Sequence, residues 1–181
     1  IFGFEKFRRF VSICLRLGVE KFEISHLFTQ WGAYHAPKVM ATVNGRYERI
    51  FGWDTDAASD EYVSFLRAFL ISLIDECKTL GIADRLLFHI SDEPNKEQLP
   101  QYQLVKSKIA DILADYPIYD ALSDFDFYET GAVDNPIPAS DHIEPFLHAD
   151  IENLWTYYCC GQWKDVSNRF LDMPLARARV V

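Results

Sequence analysis

The run Leu86-Leu87-Phe88-His89-Ile90 ends in Ser91, then in two adjacent acids, Asp92 and Glu93, then in Pro94. A short, nearly continuous apolar run suits a strand buried on both faces, as in a parallel sheet covered by helices. Proline cannot extend the hydrogen-bond ladder, so the strand must leave the sheet at Asp92-Glu93. Along an extended chain, neighbouring side chains point to opposite faces. At a strand end the chain turns, and two neighbouring carboxylates can face one cleft. Such a pair can divide roles, one held protonated as a donor and the other charged. The same residues read equally well as a solvated strand-to-helix loop whose acids cap the next helix.

The rest of the chain supplies the frame around that strand. Phe4 to Leu17 reads as an amphipathic helix with Phe4, Phe7, Val11, Cys14 and Leu15 on one face, stopped by Gly18. Val19 to Phe28 alternates and is expected to be a strand. Thr29 to Thr55 reads as a long loop rich in aromatic and polar residues, of the kind that is usually functional when it lies inside a compact domain. Ser59 caps a helix expected over Tyr62 to Leu80, which Gly81 stops. A third helix is expected near Gln98 to Ala114 and a short strand at Ile118 to Leu122. Ser123 to Asp150 reads as a second long connection, and Asn153 to Cys160 as a strand. A last helical segment starts near Asp172-Met173-Pro174.

Helices and strands that alternate in this way imply a parallel sheet flanked by helices. The odd, polar and aromatic loops all follow strands, which is where a (β/α)8 barrel builds its active site. About four strands are legible, against eight for closure. The expectation is a single α/β unit over residues 1–181, TIM-barrel-like, holding part of the barrel. Open sheet edges would then invite self-association.

Composition narrows the partners. The net charge is −9 and the pI about 5.0, which argues against a nucleic-acid phosphate backbone and gives no pull toward an anionic membrane. No apolar run approaches the roughly 18 residues of a membrane span. The four cysteines, Cys14, Cys77, Cys159 and Cys160, contain no Cys-x-x-Cys pair, so neither a zinc site of that kind nor a disulfide framework is expected. No cofactor is called for, and nothing in the chain points to a compartment.

Phe88-His89-Ile90-Ser91-Asp92-Glu93-Pro94 resembles the signature of the glycoside hydrolase family 123 catalytic domain. The same pattern is matched by Ala36-Pro37-Lys38 with Gly45, by Phe51-Gly52-Trp53-Asp54-Thr55, by Leu154-Trp155-Thr156-Tyr157-Tyr158-Cys159-Cys160 and by Asp172-Met173-Pro174-Leu175-Ala176-Arg177-Ala178-Arg179. The matches run in order over nearly the whole chain. The resemblance implies a (β/α)8 barrel that removes terminal β-linked N-acetylhexosamine, with galactosamine favoured over glucosamine. It implies a retaining mechanism in which the sugar's own 2-acetamido oxygen attacks the anomeric carbon. Asp92 would then polarise the acetamido group, and Glu93 would be the general acid/base. That division agrees with the reading of the pair from its own chemistry, since adjacent carboxylates oppose each other's ionisation.

Further residues are candidates for holding a sugar. Trp31, Trp53 and Trp155 can offer an aromatic face to a pyranose, and the alternative for each is loop or core packing. Asp54 lies beside Trp53 and is grouped with it. Tyr157 and Tyr158 fall at a strand end, where one of the two can face inward and orient the acetamido group; Tyr128 is a third such hydroxyl. His26 and His89 each fall at the end of a strand and can bond a hydroxyl, His89 equally as a hydrogen-bonded core histidine. A rival reading gathers Asp54, Asp56, Asp92, Glu93, Asp124 and Asp126 around a hard cation, although no ligand spacing supports it. A further alternative is a carbohydrate-binding unit without turnover.

Overall fold

The computed structural model describes residues 1–157 together with the backbone of two short strands, Gln162–Trp163 and Val166–Ser167. Helix α1 (Glu5–Arg16) is followed by β1 (Phe22–Glu23), the hairpin β2 (Val39–Val43) and β3 (Arg46–Phe51), and α2 (Asp60–Thr79). Then come β4 (Leu86–Leu87), α3 (Leu99–Ser107), α4 (Ala110–Leu113), β5 (Tyr119–Leu122) and α5 (Asp126–Glu129). The order ends with β6 (Asn135–Pro138), α6 (Glu144–His148) and the antiparallel pair β7 (Gln162–Trp163) and β8 (Val166–Ser167).

The fold is mixed α/β, with small parallel and antiparallel sheets. β1 pairs with β4 in parallel, Phe22 opposite Leu86. The segment after β1 keeps to the same neighbour: Ile24 N–H donates to Leu87 O (2.8 Å), Leu27 N–H to His89 O and Phe28 N–H to Ile90 O (both 3.1 Å). Phe88 bridges Ile118 in parallel, β5 pairs with β6 in parallel, and Ala139 bridges Tyr157 in parallel. The parallel segments thus stand side by side in chain order, from Phe22 through Leu86, Tyr119 and Asn135 to Tyr157, with helices in the connections. Strand ends therefore share one rim, and each turn after a strand can contribute to it.

Why α2 forms and where it packs follows from its spacing. Tyr62, Leu66, Leu70, Leu73, Ile74 and Cys77 are buried and fall on one helical face. Each such aliphatic side chain contributes about 1.5–3 kcal/mol by leaving water. Ser59 Oγ accepts from Tyr62 N–H at 3.4 Å, and Gly81 follows the helix at φ 69°. Tyr62 also donates its hydroxyl to Leu27 O at 2.5 Å, which ties the helix to the first parallel segment. Helix α1 docks beside α2 through Val11, fully buried, and through Arg8, which donates to both oxygens of Glu76 (2.6 and 2.7 Å). Leu15, expected on the packed face, is 38% exposed.

The expected long loops are more ordered than their composition suggests. Residues 29–55 contain the β2–β3 hairpin, turned by Asn44 and Gly45 at φ 51° and 81°. Two successive left-handed residues are what a tight two-residue hairpin turn requires. Residues 123–150 contain α5, β6 and α6, and Pro136 and Pro138 lie within β6. The third helix is divided into α3 and α4, with a 3-10 turn at Lys96–Gln98 before it. The strand expected at 153–160 is irregular to Thr156 and pairs at Tyr157. Its remainder and the helical segment from Asp172 lie outside the described residues.

Candidate active site

The segment that follows β4 carries the acid pair to the rim. Trp31 N–H donates to Asp92 O (2.8 Å) from one neighbouring segment, and Glu93 N–H donates to Ala121 O (2.9 Å) on β5 at the other side. The backbone of the pair is therefore held from both flanks. Glu93 adopts φ 45°, in the left-handed region. A non-glycine residue there is uncommon, costs about 1–3 kcal/mol, and persists only where its surroundings enforce it. The turn at Glu93 is what takes its side chain off the strand alternation. Pro94, buried behind it, closes the strand.

The two carboxylates lie in different surroundings. Asp92 is half-buried, Glu93 exposed. Burial is the main cause that lifts the Asp92 carboxyl above the ordinary carboxylate range; the nearby Glu93 adds to the lift, while His26 and His89 pull it back. Glu93 Oε1 accepts the Tyr157 hydroxyl at 2.6 Å. Tyr157 reaches it from the last parallel segment, where its own N–H donates to Pro138 O (3.2 Å).

Beneath the pair lies a residue that the sequence reading did not single out. Asp120, on β5, is fully buried. Its carboxylate accepts Ile90 N–H (3.0 and 3.2 Å to the two oxygens), Ser91 N–H (3.5 Å) and the Tyr102 hydroxyl of α3 (2.5 Å). Ser91, in turn, donates its hydroxyl to Thr29 O at 2.8 Å. Burial pushes the Asp120 carboxyl up, and these donors together with His89 oppose that push. The signal for it was present: Ile118-Tyr119-Asp120-Ala121-Leu122 is a short buried strand with one charge inside it. A charge at such a position persists only when answered by donors.

His89 is 5% exposed. Its Nε2 lies 2.7 Å from Glu23 Oε1 and its Nδ1 3.5 Å from Asp120 Oδ1, and neither contact is aligned as a hydrogen bond. The half-buried His26 ring lies 5.2 Å from it, centroid to centroid. Donor atoms of His26, His89 and Asp120 come within 4.8 Å of one another. Burial would lower the His89 imidazole, but the carboxylates of Asp120 and Glu23 beside its two nitrogens hold it above its ordinary value. The acid cluster considered from sequence does not converge among the described residues. Asp54 pairs with Arg49 (2.7 Å), and Asp56 accepts from Ala58 N–H. Asp124 accepts from Lys96 N–H (2.6 Å), and Asp126 pairs with Lys96 Nζ (3.0 Å).

The aromatic candidates divide. Trp155 is 46% exposed and stacks on Tyr119 of β5 with centroids 5.0 Å apart. Its ring is thereby fixed while one face stays open, beside the segment that brings Tyr157. Trp31 is exposed, sits at φ 59°, and is joined to Asp92 through the backbone. Trp53 is exposed just after β3, next to Asp54 in the chain. Tyr128 is packed against Phe125 (5.7 Å) at the edge of the core. The structure thus joins Asp92, Glu93, Tyr157, His26, His89 and Trp31 around one rim, and His89 lies behind it rather than in the open.

The fold has a counterpart among solved structures. A solved family 123 glycoside hydrolase from Clostridium perfringens, studied for glycolipid glycan hydrolysis, superposes with a TM-score of 0.63 at 15% identity. The match covers 90% of this chain and 30% of that one, so the likeness concerns the fold and the chain spans about a third of its neighbour's length. No curated protein matches the sequence. The family model of the glycoside hydrolase 123 catalytic domain matches residues 1–181. With that match running from the first residue to the last, the chain belongs to the glycoside hydrolase 123 catalytic-domain family.

Proposed function

We propose that this chain acts on a glycan ending in β-linked N-acetylhexosamine, with N-acetylgalactosamine the favoured sugar, by a retaining and substrate-assisted route. The parallel segments are read as consecutive strands of a (β/α)8 barrel, whose active sites lie at the strand ends. The observation that carries the reading is the unlike environment of two adjacent acids: Asp92 half-buried beside two histidines, Glu93 exposed and bonded by Tyr157. Adjacent acids in unlike environments can divide charge and proton transfer; the assignment of Asp92 to charge and Glu93 to proton transfer follows what the family resemblance implies.

In the first step the acetamido carbonyl oxygen forms a bond to the anomeric carbon while the bond from that carbon to the leaving oxygen breaks. Glu93 delivers its proton to the leaving oxygen. Asp92 accepts the acetamido N–H and balances the positive charge that develops on the cyclised sugar. In the second step Glu93 removes a proton from water, the water oxygen bonds to the anomeric carbon, and the ring reopens to the acetamide. Two inversions give net retention. Tyr157, whose hydroxyl is already 2.6 Å from Glu93, steadies that carboxyl as its charge alternates. Trp155 and Trp31 offer open rings to the sugar face, with Trp53 and Asp54 further out and Tyr128 at the margin. His26 is the histidine with exposure enough to meet a hydroxyl.

The test is hydrolysis of an aryl N-acetyl-β-galactosaminide beside its glucosamine epimer, with the Asp92→Asn chain run in parallel. Turnover by the unaltered chain that falls by about 10²-fold or more in Asp92→Asn is expected, since a positioned charge at a developing cation contributes on that scale. Equal turnover by both chains would reject the acetamido role. Saturable sugar binding without any turnover would favour the binding-only reading instead.

A further inference from the structure

His89 has no part in the reaction just proposed, and its two ring nitrogens are buried without an aligned hydrogen bond among the described residues. Orphaned polar atoms of this kind call for a water or an ion to answer them. The neighbours of the ring distinguish the two. Glu23 Oε1 lies 2.7 Å from Nε2. A carboxylate at that range keeps a proton on Nε2 and leaves the lone pair of the neutral ring on Nδ1. On that side Nδ1 lies 3.5 Å from Asp120 Oδ1. A lone pair set against a carboxylate oxygen is repulsive unless a cation joins the two. Two ligands at about 2.0–2.1 Å from one tetrahedral ion lie about 3.4 Å apart, close to the separation of Nδ1 and Oδ1.

A third donor completes the set. One donor atom each from His26, His89 and Asp120 lies within 4.8 Å of the others. The three residues come from neighbouring parallel segments: His26 from the one after β1, His89 from the one after β4, and Asp120 from β5. His89 and Asp120 are fixed by burial, and the half-buried His26 has room to turn its ring toward them. Asp120 is held by Ile90 N–H on Oδ1 (3.0 Å) and by the Tyr102 hydroxyl on Oδ2. A ligating carboxylate steadied by hydrogen bonds, and a ligating imidazole backed by a second carboxylate, form the usual outer shell of a metal site.

We propose that His26, His89 and Asp120 form a binding site for a divalent transition-metal ion of the zinc type, with Glu23 orienting His89 from behind. Two imidazoles and one carboxylate suit zinc, whereas magnesium and calcium prefer a shell of oxygens. The carboxylates that favour a proton on His89 favour a dication as well, so proton and metal compete for Nδ1. The ion clips three neighbouring parallel segments together beneath the acid pair. It takes no step in the proposed hydrolysis, and the site is tested independently of that reading.

The experiment is a zinc titration of the chelator-treated chain by isothermal calorimetry, with thermal melting of the same samples followed by circular dichroism. One zinc ion bound per chain is expected, with a Tm that rises with zinc concentration because the ion binds the folded state in preference. In Glu23→Ala, which removes a side chain that is 69% exposed, zinc affinity should fall about 10–100-fold. His26→Gln should remove the calorimetric signal. The nitrogen-15 signals of the His89 ring in the zinc-loaded chain should show a proton on Nε2 and none on Nδ1. Absence of saturable zinc binding overturns the proposal. Binding that is unchanged in His26→Gln also overturns it, since the ion then sits on groups elsewhere. A His89 ring that stays protonated on both nitrogens in excess zinc does the same, and makes the ring an ion-paired imidazolium. Should His26→Gln not fold, Glu23→Ala decides: an affinity equal to that of the unaltered chain overturns the proposal.

Discussion

Removing the Asp120 carboxylate is expected to be the most damaging single change near the site. In Asp120→Ala, Ile90 N–H and Ser91 N–H lose their acceptor, and the Tyr102 hydroxyl is left buried without one. The His89 ring also loses one of its two counter-charges. An orphaned buried donor costs about 1–3 kcal/mol, and breaking a buried charged pair from one side about 3–5 kcal/mol in all. The contributions overlap, because one carboxylate serves every partner, so about 3–5 kcal/mol is the expected total rather than their sum. For a chain of this length that corresponds to a fall in Tm of roughly 6–20 °C. Urea unfolding followed by circular dichroism reads the loss directly as a lower midpoint. Asp120→Asn keeps the shape and one acceptor oxygen, so it should lose less. A loss below about 1 kcal/mol in Asp120→Ala, on the scale of an ordinary exposed hydrogen bond, would refute the reasoning. It would mean that water or a shifted side chain answers those donors as well as the carboxylate does.

Other expectations are narrower. Because burial holds the Asp92 carboxyl above its ordinary value, activity that needs the anion is present above the raised value and is lost as pH falls through it; a pH–rate profile should show its acid limb above 3.8, the ordinary aspartate value. Glu93→Gln should abolish hydrolysis of substrates with poor leaving groups and spare those with good ones, which a series of aryl glycosides reads as a steepened dependence on leaving-group acidity. Trp155→Ala should raise KM about tenfold with little change in kcat, the loss of one stacking platform fixed on Tyr119; steady-state kinetics distinguishes the two constants. Tyr62→Phe leaves Leu27 O without its donor and should cost about 1–2 kcal/mol in denaturant unfolding. Burial pushes the Cys77 thiol up to about 11, so it should resist alkylation in the folded chain and react on unfolding, as peptide mass spectrometry would record.

What the sequence disclosed and what it withheld separate by physical cause. The buried run from Leu86 to Ile90, its stop at Pro94, and the helix from Ser59 to Gly81 were legible because each is specified within a few residues. The hairpin was also specified locally, by Asn44-Gly45 between Val43 and Arg46, but the surrounding aromatic and polar composition pointed to an irregular loop. β6 escaped because its prolines argue against a strand. Both Pro136 and Pro138 nonetheless fit in a segment that pairs with β5. Of the site, Asp92 and Glu93 were readable as a pair, whereas the meaning of Asp120 was not. Its partners, Ile90 and Tyr102, lie 30 and 18 residues away in the chain, and only the fold brings them together. The same holds for Tyr157 and Glu93, separated by 64 residues. His89 could be taken from sequence for a sugar ligand or a core histidine, and its burial between two carboxylates supports the second.

The left-handed backbone at Glu93 carries a consequence for how such a chain can change. Glycine at this position would relieve the crowding between its side chain and the main chain, worth about 1–2 kcal/mol. Selection or engineering for stability alone would therefore favour glycine at position 93 and discard the acid. Glu93→Gly should yield a chain that melts later and catalyses nothing. If Glu93 is the proposed acid/base, its carboxylate at φ 45° sets sturdiness and activity in opposite directions. Consensus or thermostabilising substitutions should then be drawn from α1, α2 and the hairpin, well away from the rim.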